Sequence, residues 1–129
     1  MSRILRHPRF WLAGFILWFS VLWMLSSNSA PGNLSPPFPH FDKVAHFGYY
    51  FGGGGLLSAY LFRLAPDVPN WKTLISIAIL VIAAIGAMDE WHQSFTPGRS
   101  GNDLYDWLAD LMGAMAGAFT FKRLHHPLK

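Results

Sequence analysis

Trp71-Lys72-Thr73-Leu74-Ile75-Ser76-Ile77-Ala78-Ile79-Leu80-Val81-Ile82-Ala83-Ala84-Ile85-Gly86-Ala87-Met88-Asp89-Glu90 is the stretch that decides the fold. Its β-branched residues taken alone suggest a strand. The run is too long for one, and a lone strand in hydrocarbon leaves its backbone groups without partners. A helix bonds its own backbone, so the stretch is read as a membrane helix. Three more apolar segments accompany it, and the predicted spans are 10–25, 44–62, 71–89 and 103–121. The expected fold class is all-α: a compact four-helix transmembrane protein with both termini cytoplasmic, residues 1–129 forming one integral-membrane domain.

Composition agrees with that reading. Of 129 residues, 52% are apolar and 13% charged, too few charges to coat a soluble domain of this size. Six Trp, four Tyr and eleven Phe suit membrane interfaces. The net charge of +3 is not gathered into a basic stripe, which excludes nucleic acid as the expected partner. The chain has no cysteine, so disulfides, thiolate metal sites and cysteine nucleophiles are excluded, while the redox compartment stays open.

The basic residues set the orientation. Arg3, Arg6, Arg9, Arg63, Lys72, Lys122, Arg123 and Lys129 occupy the N-terminus, the connection between segments two and three, and the C-terminus; only Lys43 and Arg99 lie on the other side. The positive-inside rule then puts both termini in the cytoplasm and the other two connections outside. The first segment also invites reading as a signal peptide, with a cleavage site near Ala30. Its bulky Trp11, Trp18 and Trp23, and the three apolar segments that follow, favour a retained helix.

Connectors and helix contacts follow from local chemistry. Pro31, Gly32, Pro36, Pro37 and Pro39 make an extended connector, either a spacer or a strap across the mouth of the bundle. Asp42 is read as the N-cap of segment two, and segment four begins near Asn102 or Asp103. Gly48, Gly52 and Gly55, broadened by Gly53 and Gly54, mark a face for close helix packing, with local unwinding as the alternative; Gly113 and Gly117 form a second such edge. His40 is expected to be exposed, and His7, His125 and His126 to meet lipid headgroups.

The polar residues crowd at the outer ends of the helices. Asp42 and His46 are four apart, Glu90 and Gln93 three apart, and Asp103, Asp106 and Asp110 share one helical face with Asp110 deepest. Charge near hydrocarbon is costly and faces the bundle interior, usually for a purpose. Six carboxylates, including Asp89, stand against Lys43 and Arg99. Protons, a cation or ion pairs must balance them. Oxygen ligands with one imidazole would suit a hard or borderline divalent cation, but no motif fixes the metal or proves a cofactor. The bland reading is an ion-paired lock, with Arg99 bridging Asp103 or Asp106 and Lys43 pairing Glu90. In the functional reading, Arg99 and Lys43 hold an anionic headgroup, Asp42, Tyr49, Gln93, Asp103 and Asp110 complete the binding site, and His46, Glu90 and Asp106 are the candidates for acid–base work. Tyr49 and Tyr50 also suit cross-helix bonding, and His92 an interface. No serine or threonine stands out as a nucleophile, so hydrolysis would need activated water or a His or Asp nucleophile.

Asp42-Lys43-Val44-Ala45-His46-Phe47-Gly48-Tyr49 resembles the D-K-x-x-H-x-x-x-Y start of the second span in the VanZ-like family, with Tyr49 and Tyr50 both available for the tyrosine place. Glu90 to Arg99 resembles its E-x-x-Q…P-x-R turn, and Asp103, Asp106, Gly113 and Gly117 match its D-x-x-D…G-x-x-x-G helix. Asp110 stands where Asn is common. The resemblance covers about residues 40–120 and implies a small multi-pass protein of the bacterial cytoplasmic membrane. The family is named for a protein associated with resistance to the glycopeptide teicoplanin, which acts at the outer side of that membrane near lipid-linked wall precursors. The expected function is binding or modifying an anionic envelope lipid or cell-wall precursor headgroup at the outer face. The alternatives are a non-catalytic membrane factor or glycopeptide-resistance-associated protein and, third, a small transporter; whether it is an enzyme stays open. Expected partners are membrane lipids and a lipid-linked precursor or a glycopeptide, with no protein partner indicated.

Overall fold

The computed structural model describes residues 3–28 and 35–128 and forms a four-helix bundle. The helices are α1 (Pro8–Ser27), α2 (Phe41–Leu64), α3 (Trp71–Gln93) and α4 (Leu104–Leu124), with short 3-10 turns at Arg3–Arg6 and His126–Leu128. Each runs past the apolar segment that marked it at one end or both, and at the end of α3 the added polar residues turn inward. The last turns of that helix bury Asp89, Glu90 and Gln93. Pro31, Gly32 and the cleavage site considered near Ala30 lie outside the described residues.

Local chemistry sets the helix starts. Pro8 occupies the first turn of α1, where a missing N–H costs nothing, and His7 Nδ1 accepts from the Arg9 amide at 3.2 Å. Asn70 caps α3 by accepting from the Thr73 amide at 3.1 Å. Asp103 caps α4, accepting from the amides of Tyr105 at 2.8 Å and Asp106 at 3.4 Å. Asp42 does not cap α2. His40 holds that place with φ 62° and no side-chain cap bond, and Asp42 falls within the first turn beside Lys43.

The tightest helix pair is α2 against α4, and glycine makes it so. A Cβ on Gly113 would lie 2.2 Å from the Phe47 carbonyl oxygen, one on Gly117 2.1 Å from that of Phe51, and one on Gly54 2.3 Å from that of Ala114. Only hydrogen fits between backbones this close. The glycine face of α2 differs in part from the expected one. Gly54 makes the α4 contact and Gly53 packs on the Trp18 ring, whereas Gly48 and Gly52 have nothing within 4 Å. The helix runs unbroken through all of them, because the α4 backbone and Trp18 wedge it in place.

Trp18 locks α1 to α2: its indole N–H donates to the Tyr49 carbonyl at 3.0 Å, and the Tyr49 hydroxyl donates to the Trp18 carbonyl at 2.6 Å. The core continues through Tyr50, Leu57, Ala78, Ile82 and Ala114 to a second cluster of Phe62, Leu74, Ile75 and Ala118. His125, expected among headgroups, is buried at that apolar end. Its ring packs 4.6 Å from Trp71 and 5.1 Å from Phe62, and aromatic burial outweighs its polarity because Nδ1 is satisfied by the Lys122 carbonyl at 2.6 Å. His40 is exposed.

Two helices, Pro8–Ser27 and Trp71–Gln93, are long and apolar enough to cross a membrane, which gives the protein its membrane-associated character. Large apolar side chains face outward on every helix, among them Leu17, Phe51, Leu80 and Met112. Four of the seven acidic residues, Asp89, Glu90, Asp106 and Asp110, are buried instead. That inside-out distribution matches lipid surroundings and the cost of exposing charge to them.

Candidate functional site

The polar end of the bundle has two halves. In one, α4 presents Asp103, Asp106 and Asp110 to α2. Lys43 Nζ sits 2.8 Å from a carboxylate oxygen of each of Asp42, Asp103 and Asp106. Asp103 precedes α4, and the Lys43 ammonium holds its carboxyl below the usual carboxylate range. One turn along α2, His46 Nδ1 meets Asp110 Oδ1 at 2.8 Å while Nε2 lies 3.8 Å from Asp106 Oδ2. Asp110 is fully buried. Glu90 approaches from α3, its Oε2 accepting from the Asp103 amide at 2.8 Å. The Glu90 carbonyl also accepts from the Asn102 amide at 3.2 Å, which ties the turn to the end of α3.

The other half joins α1 to α3. Asp89, 1% exposed, accepts from the Ser26 hydroxyl, from the Gln93 amide at 2.9 Å and from the Tyr50 hydroxyl at 3.3 Å. The Thr96 hydroxyl donates to the Ser26 carbonyl at 2.9 Å. Arg99 donates to the carbonyls of Asn28 at 3.1 Å and Leu25 at 3.0 Å, placing its charge at the C-terminal end of α1 where helix carbonyls lack partners. The His92 ring stacks on Trp23 at 4.0 Å and closes the same seam.

A cavity of about 760 Å³ opens between these elements, lined by the end of α1, the connector at Ser35–Pro37, the start of α2 and the end of α3. Leu22, Leu25, Pro36, Phe41 and Ala45 form its apolar wall; Asp42, His46, Tyr49, Tyr50, Asp89, Gln93 and Arg99 supply its polar groups. Among the described residues, His46 both lines this cavity and touches the carboxylates of α4, so it links the two halves.

The expected site residues therefore divide. His46, Glu90 and Asp106 come together, their ligand-capable atoms within 4.8 Å of one another, in an arrangement consistent with a divalent-cation site. Asp42, Lys43, Asp103 and Asp110 border them. Tyr49 lines the cavity but spends its hydroxyl on α1, and Gln93 serves Asp89. Two expected pairings do not form. Lys43 reaches three aspartates rather than Glu90, because Glu90 faces α4 below the turn while Lys43 lies over the first turn of α4. Arg99 reaches α1 rather than Asp103 or Asp106, because the turn carries it to the opposite side of α3. Ser26 and Thr96 were not anticipated, and their contacts with residues 63 and 70 positions away left no local trace. The Asp89 pairing did leave one, since Gln93 follows it by four residues on the same helical face.

Fold and site together define a small, membrane-associated four-helix bundle with a buried acidic cluster beside an apolar-walled cavity. A family model described as VanZ/LLP1 matches residues 7–125, and the chain belongs to the VanZ/LLP1 family. Comparison with curated proteins gives no match, and neither does comparison with solved structures.

Proposed function

We propose that this protein binds the anionic headgroup of an envelope lipid, of the polyprenyl phosphate or lipid-linked wall-precursor class, at the outer face of the bacterial cytoplasmic membrane. All four helices span the bilayer in this reading, with both termini in the cytoplasm, because eight of the ten basic residues lie in the segments that orientation puts inside. The observation that carries the proposal is the cavity. Its apolar wall accepts the first part of a lipid tail, and its polar end offers Arg99 and Gln93 to a headgroup. Arg99 uses two of its five N–H donors on α1 carbonyls and keeps three for an anion. The nearby acids have partners of their own, Asp42 in Lys43 and Asp89 in the Ser26, Gln93 and Tyr50 donors, which leaves Arg99 to the ligand.

Binding, rather than bond cleavage, is the role this reading gives these groups. The Lys43 cluster supports a separate mechanical role, locking α2 to α4 through three carboxylates. Transport through one copy is disfavoured, because beyond Asp110 the two helices close backbone on backbone at Gly113 and Gly117.

The test is binding of undecaprenyl phosphate to the full chain in lipid nanodiscs, with undecaprenol as the uncharged control. Ala45→Phe, which fills the cavity, and Arg99→Gln are expected to weaken phosphate-lipid binding by about 10-fold or more, the loss of one charge-assisted contact. Arg63→Gln, at the other end of α2, is expected to leave it unchanged. Equal losses in all three variants, or equal affinity for the uncharged alcohol, would refute headgroup recognition.

A further inference from the structure

We infer that His46, Glu90 and Asp106 form a binding site for one divalent transition-metal ion of the Mn²⁺ or Zn²⁺ class. Three helices converge here, α2 supplying His46, α3 Glu90 and α4 Asp106, with donor atoms within 4.8 Å of one another. Metal–ligand bonds of about 2.0–2.2 Å set three donors about 3.0–3.6 Å apart around one ion, so donors now within 4.8 Å of one another draw together by about 1–2 Å when the site fills.

Two features beyond the clustering point to a ligand. The first is Glu90, only 3% exposed. Its Oε2 is occupied by the Asp103 amide, while Oε1 is buried with no hydrogen-bond partner among the described residues. A buried carboxylate oxygen left so is costly, and a cation relieves that cost. The second is the orientation of His46. Asp110 Oδ1 stands 2.8 Å from Nδ1; with that nitrogen as the donor, the Nε2 lone pair is left beside Asp106. A carboxylate behind the imidazole is the usual outer support of a metal-bound histidine.

Charge leads to the same place. Lys43 shares its single charge among Asp42, Asp103 and Asp106, and Glu90 makes no ion pair among the described residues. A divalent ion between Glu90 and Asp106 neutralises both. The neighbouring acidic trio of Asp42, Asp103 and Asp106 is a different matter, because the Lys43 ammonium already stands 2.8 Å from each. The donor set of two carboxylates and one imidazole, in a chain with no cysteine, favours borderline transition metals over Ca²⁺ and over soft Cu⁺.

The inference stands on this geometry and does not need the lipid reading. Its test uses the full chain in detergent micelles, stripped with EDTA and titrated with Mn²⁺. Binding is read by electron paramagnetic resonance, metal content after dialysis by mass spectrometry, and Zn²⁺ serves as competitor. One ion per chain is expected, displaced by Zn²⁺. Glu90→Gln, His46→Gln and Asp106→Asn are expected to weaken it by about 10-fold or more, as losing a ligand should exceed the effect of losing an outer partner. Glu90→Gln is the decisive variant, because its amide oxygen can still accept from the Asp103 amide, and unchanged circular dichroism would show the fold intact. Asp67→Asn, in the opposite loop, should bind as wild type. Wild-type protein that takes up no Mn²⁺ or Zn²⁺, or Glu90→Gln with wild-type affinity, overturns the inference. Ala45→Phe and Arg99→Gln should retain the metal even if they lose phosphate-lipid binding, so failure of one reading is separable from failure of the other.

Discussion

Alanine at Gly113 should unseat the site without touching any of its side chains. The new Cβ would lie 2.2 Å from the Phe47 carbonyl oxygen, against about 3.3–3.6 Å for an ordinary C–H···O contact. Both sides of that contact are helix backbone, so neither can rotate away, and α4 must back off from α2 by about 1 Å. Asp110 lies three residues before Gly113 on α4, and His46 precedes Phe47 on α2. The same displacement stretches the 2.8 Å His46–Asp110 contact to nearly 4 Å, beyond hydrogen-bond range. Overpacking of this kind costs about 1–3 kcal/mol. The control is Gly52→Ala, on the same helix pair but with nothing within 4 Å of its Cβ, where better helix propensity should stabilise by about 0.4–1 kcal/mol. Thermal and denaturant unfolding followed by tryptophan fluorescence would measure both, with Mn²⁺ affinity as the report on the site. A Gly113→Ala protein as stable as wild type, or Gly52→Ala as damaging as Gly113→Ala, would refute the backbone-contact argument.

Other expectations follow from single contacts. Ser26→Ala removes one donor from buried Asp89 and should cost about 1.5–3 kcal/mol, whereas Tyr50→Phe, losing a longer bond of 3.3 Å, should cost less than about 1.5 kcal/mol; unfolding midpoints that rank the other way would show that Ser26 does not support Asp89. Lys43→Met leaves three carboxylates without their base, and because the cluster is only partly buried the loss should be about 2 kcal/mol, between the surface and interior cases. The Asp103 contribution to that cluster has a defined pH sign. Its carboxyl is depressed in the folded protein, so its stabilisation is complete above the ordinary carboxylate range and disappears as pH falls through the lower folded value; acid unfolding of Asp103→Asn should show a shallower dependence than wild type. Since the chain has no cysteine, single introduced cysteines can report topology cleanly. Phe95→Cys should react with a membrane-impermeant maleimide in intact cells and Asp67→Cys only after permeabilisation; the reverse pattern would invert the proposed orientation.

What the sequence alone determined is whatever depends on neighbours along the chain. The apolar run from Leu74 to Met88 could bury its backbone polarity only as a helix, and the 3-4 spacing of Asp103, Asp106 and Asp110 put one charged stripe on α4 toward its neighbours. The caps at Asn70 and Asp103 belong to the same class, since the bonded amides are within three residues. Which charges meet was decided only in three dimensions. Lys43 and Arg99 are equally plausible partners for any acid in the cluster until the rotation of each helix is known. The glycine contacts of α2 and α4 set that rotation and give Lys43 to the α4 aspartates, while the turn after α3 carries Arg99 to the carbonyls of α1. Ser26 beneath Asp89, His125 buried against Trp71 and the cavity itself likewise arise where remote segments pack together. Helical periodicity carries information over one or two turns, and beyond that only packing decides which face looks at which.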